Sequence, residues 1–191
     1  MKIEELVIRL SEDPFNPQYN FDCAVEYERI NQTASAVSFY LRAAEYGVNQ
    51  QPLIVYASLL KMAHCFEDQK DRTHTVTNCL LQAIDVIPNR PEAYFLLSQY
   101  YERQGNWQEC YTWAKVGLFH LDVHVPLPTD VGYPGSYCLE FEQAVSAWWI
   151  GRKEESKRLF SILLNERKVT TQYEQVIKSN IKMIEDKDAS V

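Results

Sequence analysis

Residues 91–122 read PEAYFLLSQYYERQGNWQECYTWAKVGLFHLD. Pro91 opens the stretch and Gly105 divides it into two helix-length halves. Proline lacks an N–H and blocks the preceding helical turn, while glycine readily takes the left-handed conformation that ends a helix. Small residues recur within it: Cys110 stands twelve residues after Ser98, and Gly117 nineteen after. Two antiparallel helices approach closely only where their facing side chains are small. The spacing therefore predicts a helical hairpin packed along Ser98, Cys110 and Gly117.

The same frame recurs on both sides of this stretch. Ala24, Asn31, Ala36 and Ala43 repeat the positions of Ser98, Gly105, Cys110 and Gly117, and so do Ala144, Gly151, Ser156 and Leu163. Residues 51–87 enter the frame through Ala63, Val76 and Ala83, with one extra residue in the turn near Asp71. Repetition at a fixed period marks a stack of supersecondary units, each too small to bury its apolar face alone. The eight prolines fall between the repeats. They delimit an N-terminal helix in 1–13, helix pairs in 17–49, 51–87, 91–123 and 135–166, and a capping helix in 170–186, here taken as one domain over 1–191. No sustained period-2 alternation and no Asn-Gly or Asp-Gly turn signals a strand. Tyr173, Val176, Ile177, Ile181 and Ile184 predict one apolar face for the last helix, and Ile3, Leu6, Val7 and Leu10 for the first.

The pattern resembles the tetratricopeptide repeat, most fully over 91–122, well over 17–49, and more loosely over 56–88 and 137–164. The resemblance implies an all-α fold: a right-handed superhelical solenoid of about four antiparallel helix pairs plus N- and C-terminal helices. In such solenoids the first helix of each pair lines a concave face. Carried over to this sequence, that face holds Phe21, Asp22, Val25 and Arg29, then Leu60, Lys61, His64 and Asp68. It continues with Phe95, Leu96, Gln99 and Arg103, and ends with Phe141, Glu142, Val145 and Trp149. Phe21, Leu60, Phe95 and Phe141 then form either an apolar seam in the groove or contacts to neighbouring repeats and the C-terminal helix. A groove with that seam and the charges of Arg29, Lys61 and Arg103 suits a peptide or protein with apolar anchors and some acidic groups. Repeats of this type that clamp the C-terminal carboxylate of heat-shock chaperones carry Lys and Asn where Phe21 and Val25 stand here, which argues against that ligand.

Residues 113–151, with Val125-Pro126-Leu127-Pro128, a Tyr/Gly loop and the helix around 140–151, are also similar to tetratricopeptide regions that accompany glycosyltransferase domains in bacteria and large DNA viruses. That resemblance implies an accessory role in acceptor presentation or assembly. The pair Trp148-Trp149 departs from it, since tyrosines are more usual there. The loop 122–136 itself either folds over the groove, docks a partner or only spans a wider gap between repeats.

Composition sets the remaining bounds. Hydrophobic residues make up 46% and charged residues 24%, a globular balance. A formal net charge of -7 argues against nucleic acid and anionic membrane as partners. No segment approaches the roughly 20 apolar residues of a membrane span, and the amphipathic N-terminus does not read as a signal peptide. Five widely spaced cysteines without a C-x-x-C read as buried thiols of a cytoplasmic protein. No catalytic constellation outweighs its structural reading, so the expectation is a non-enzyme without cofactor or metal. His120 and His124 are four apart, but the loop prolines end that helix early. His64 with Asp68 reads as a simple ion pair. The tryptophans read as core or groove, and Asp186-Lys187-Asp188 as a chance D-x-D in a frayed tail. Self-association through the end helices is a further expectation.

Overall fold

The computed structural model describes residues 3–121 and 125–188. Ten helices follow one another among them: α1 (Ile3–Glu12), α2 (Pro17–Arg29), α3 (Thr33–Gly47), α4 (Pro52–Asp68), α5 (Thr73–Val86), α6 (Glu92–Arg103), α7 (Trp107–Gly117), α8 (Tyr137–Trp149), α9 (Lys153–Glu166) and α10 (Thr171–Asp188). No helix among the described residues is long and apolar enough to cross a membrane.

Local sequence accounts for the ends of these helices. Pro17 and Pro52 occupy the first turns of α2 and α4, where a missing N–H costs nothing. Asn16 caps α2 by accepting from the Tyr19 N–H at 3.1 Å, and Asn106 caps α7 by accepting from the Glu109 N–H at 3.3 Å. The three predicted left-handed positions do take positive φ: 59° at Asn31, 68° at Gly105 and 85° at Gly151. Each is followed by the same long-reach backbone bond. The N–H of Gln32 donates to Tyr27 O at 2.9 Å, that of Asn106 to Tyr101 O at 2.9 Å, and that of Arg152 to Ala147 O at 2.8 Å. This six-to-one closure defines a Schellman turn, repeated at one frame position in three pairs. The α4–α5 turn is built differently, with Lys70 and Asp71 both left-handed at 57° and 52°. That is the extra residue which the frame required.

The chain divides into two compact units. One comprises residues 3–93 and 125–132, and the other 94–121 and 133–188. In the first, α1 packs on α2, α2 on α3, α3 on α4 and α4 on α5. In the second, α7 packs on α8, α8 on α9 and α9 on α10. Every packing position of the frame is buried: Ala24, Ala36, Ala43, Ala63, Val76 and Ala83 in the first unit, and Ser98, Cys110, Gly117, Ala144, Ser156 and the larger Leu163 in the second. Gly117 shows how tight the contact is. A Cβ there would lie 2.7 Å from Tyr94 Cβ and 3.0 Å from Leu139 Cδ2. Two frame positions also bond directly, since Ser156 Oγ donates to the Ala144 carbonyl at 2.7 Å.

The terminal helices depart from their predicted faces. Leu6 is fully buried, yet Val7 is 49% exposed. On α10, Ile177 and Ile184 are buried while Val176 is 44% exposed. An end helix has a neighbour on one side only, so the stripe it buries is narrower than a five-residue apolar face.

Candidate functional site

The first helices of the pairs are α2, α4, α6 and α8, and the frame places a ladder of equivalent residues on each. In the first unit, Phe21 is buried, with its ring 5.6 Å from Tyr40, and Leu60 is buried within a run of α4 that is inaccessible from Ile54 to Leu60. Asp22 and Val25 are half-buried and Arg29 is exposed. Gln18 Nε2 donates to Asp22 Oδ1 at 2.7 Å, and Arg29 pairs with Glu26 at 2.9 Å. Lys61 is half-buried and pairs with Glu28 at 2.6 Å, while the other oxygen of Glu28 accepts from Tyr40 OH at 2.6 Å. His64 and Asp68 are both exposed on α4, and no ion pair joins them among the described residues.

A second network sits deeper in this unit. Arg90 and Glu92 form an ion pair with both side chains almost wholly buried. Arg90 Nε donates to Glu92 Oε2 at 3.1 Å, and Arg90 Nη1 to the Val125 carbonyl at 2.7 Å. Tyr56 OH donates to Glu92 Oε2 at 3.4 Å and accepts the Ala93 N–H at 2.9 Å. Glu92 stands in the first turn of α6, where the helix dipole favours negative charge.

The second unit repeats the ladder with different chemistry. Phe95 is buried, with the Tyr133 ring 5.4 Å away, and Phe141 is buried between Tyr173 at 5.2 Å and Phe160 at 6.1 Å. Leu96, Gln99 and Val145 are half-buried. Arg103 is exposed, and Trp149, 48% exposed, stacks on Trp107 at 5.2 Å and 17°. Glu142 is buried, against the expectation of a groove residue. Burial, and next the charge of Glu102, push its carboxyl up to about 8; a bond from Gln99, the charge of Arg103 and a bond from Cys110 act the other way. Its proton is therefore retained at neutral pH. Cys110 moves up as well, by burial first and then by Glu142.

Tyr111 pins three helices of this unit together. Its hydroxyl donates to Glu155 Oε1 at 2.8 Å and accepts from Arg152 Nη1 at 3.0 Å, and Gln143 Nε2 donates to the same carboxylate oxygen at 3.2 Å.

The apolar seam is thus not an exposed surface. Phe21 and Leu60 in the first unit, and Phe95 and Phe141 in the second, are buried, each as a floor position of a helix that also carries half-buried or exposed rungs. The covering rings come from outside the simple frame in two cases, Tyr133 from the loop and Tyr173 from α10. Neither was in the sequence-derived site, since a repeat frame carries no register for segments that do not repeat. Of the histidine pair, His120 lies beyond the end of α7 at Gly117 and stacks on Tyr94 at 5.1 Å, and His124 lies outside the described residues. The D-x-D falls in the last turn of α10, and the side chains of 187 and 188 also lie outside them.

No protein-family model matches the sequence, and no curated protein matches it. Solved structures do match. The crystal structure of MamA aligns with a TM-score of 0.63 at 14% identity, covering 83% of this chain and 82% of that one. PilW, described as a widely conserved type IV pilus biogenesis factor, aligns with a TM-score of 0.67 at 15% identity over 91% of this chain and 73% of its own. TTC0263, a thermophilic TPR protein of Thermus thermophilus, aligns with a TM-score of 0.54 at 15% identity over 95% of this chain and 88% of its own. At such identities the likeness is one of fold: the ten described helices, in sequential antiparallel pairs, match solved tetratricopeptide solenoids.

Proposed function

We propose that the chain is a non-catalytic scaffold that binds a protein or peptide on the first helices of its pairs. One observation carries this reading. At equivalent frame positions these helices present a buried apolar floor, then half-buried rungs, then an exposed residue. The rungs are Asp22, Val25 and Lys61 in the first unit, and Leu96, Gln99 and Val145 in the second. The exposed ends are Arg29 and Asp68, and Arg103 and Trp149; of the remaining rung positions, His64 is exposed and Glu142 buried. Such a surface offers partly desolvated anchors beside charge, the composition of binding hot spots. Its buried carboxyls Glu92 and Glu142 are engaged by side chains of their own units.

The test compares capture from the native host by wild type and by two surface variants, Val25→Asp/Arg29→Glu and Leu96→Asp/Arg103→Glu. A protein retained by wild type and lost with either variant, at unchanged helicity, is the expected result. Identical captures by all three chains would refute the reading. A glycosyltransferase or its acceptor among the lost proteins would favour the accessory-module reading.

A further inference from the structure

The loop after α7 behaves differently from a plain connector. Its described part reads VPLPTDVGYPGS from Val125 to Ser136, with three prolines and no regular secondary structure. Proline fixes φ and favours extended, solvated backbone, so such a segment loses little entropy when it is laid on a surface. Its attachment is built at its two ends. Arg90 holds the Val125 carbonyl at 2.7 Å. Further on, Gly132 takes φ 76°, with its N–H donating to Asp130 Oδ1 at 2.8 Å. The Tyr133 ring lies 5.4 Å from Phe95 at 58°. Phe95 is left 1% exposed.

Phe95 is the floor position of α6, the site where the repeat frame would expose an apolar anchor point to a ligand. On α2 the equivalent Phe21 is covered by Tyr40, which belongs to the second helix of its own pair. On α6 the cover is a tyrosine of the loop. We infer that the α6 face around Phe95 is a docking site for an extended, proline-flanked aromatic segment, and that Tyr133 occupies it as a tethered stand-in. This deepens the scaffold reading and rests on it: a partner engages α6 by presenting a tyrosine-like anchor and displacing Tyr133. The half-buried Leu96 and Gln99 flank the anchor, and α6 ends in the exposed Arg103. A tether of this kind gives an effective concentration of about a millimolar. A free segment whose Kd for the opened site is about 0.1 mM is therefore weakened about tenfold by the loop.

The probe is the synthetic peptide VPLPTDVGYPGS, fluorescently labelled and titrated by anisotropy into the full chain. Tyr133→Ala is expected to bind it saturably, at least about tenfold more tightly than wild type. The same peptide with its tyrosine replaced by alanine is expected not to bind. If Tyr133→Ala loses the wild-type circular dichroism, Tyr133→Thr, which also removes the ring from Phe95, replaces it in the same titration. Equal affinity for wild type and variant, binding that ignores the peptide's tyrosine, or no binding at all overturns the inference. A partner lost with Leu96→Asp/Arg103→Glu alongside a failed peptide titration would discard the stand-in and keep the scaffold. Peptide binding without any such partner would do the reverse.

Discussion

Each unit of the molecule buries a glutamate, and the two are handled in opposite ways. In the first, Glu92 is ion-paired to Arg90, bonded by Tyr56 and set at a helix N-terminus. In the second, Glu142 meets Gln99, Cys110 and the like charge of Glu102, with Arg103 the cation acting on it. The first carboxylate is neutralised by a partner and the second by a proton. The two stand at different frame positions, six residues before Ser98 and two before Ala144, and at each the local supply of counter-charge sets how the carboxyl is neutralised.

The largest effect expected is from breaking the paired site. Arg90→Ala leaves Glu92 buried without its cation and frees the Val125 carbonyl, and should cost about 3–5 kcal/mol in urea unfolding. Replacing both members with leucine should cost far less, because no orphaned charge remains. Equal losses in the two variants would show that packing, not charge, holds this region.

Glu142→Gln tests the other solution. A carboxyl with its folded pKa raised from 4.5 to about 8 binds a proton in the folded state that the unfolded chain has released. Wild-type stability should therefore fall as pH rises from about 4.5 to about 8, by about 3 kcal/mol at pH 7 from this group alone. The glutamine variant removes that slope, so the two chains match at pH 4.5 and the variant is more stable at pH 7. Titration covers the groups that face Glu142 from each packed element: Glu102 and Arg103 on α6, Cys110 on α7, Cys138 on α8 and Tyr173 on α10. Parallel pH profiles for the two chains would break the contrast between the units.

The smallest effect sets the scale. Arg167 makes a two-pronged contact with Glu140, with distances of 2.8 to 3.0 Å, but its side chain is 43% exposed. Arg167→Ala should cost about 0.5 kcal/mol, and that loss should shrink in added salt. A larger loss would mean that the packing around α9 and α10 depends on this surface pair more than on Ile177 and Ile184.

The fold was readable because its determinants are short-range or periodic. The twelve packing positions of the frame needed only spacing to be identified, and the left-handed turns at Asn31, Gly105 and Gly151 only residue type. Of the residues carried over to the candidate site, Arg29, His64, Arg103 and Trp149 are exposed, while Phe21, Leu60, Phe95, Phe141 and Glu142 are buried. Periodicity finds the apolar stripe of a helix but not how many neighbours share it. A helix such as α8, buried along most of its length from Tyr137 to Trp148, gives no sequence signal for which polar residue goes inward. The Arg90–Glu92 network was hidden in a stretch that read only as a proline boundary. Its available signal was the acidic residue at the start of α6.

The five cysteines carry a practical consequence. All are buried and unpaired. Burial is the leading cause that pushes Cys23, Cys65, Cys79 and Cys138 up to about 11, and Cys110 moves the same way. Thiol reagents attack thiolates, so the native chain should be almost silent toward them. Cys23, Cys65 and Cys79 lie in one unit, Cys110 and Cys138 in the other. Pulsed alkylation read by mass spectrometry would therefore time the opening of each unit from its own thiols, without a single engineered probe.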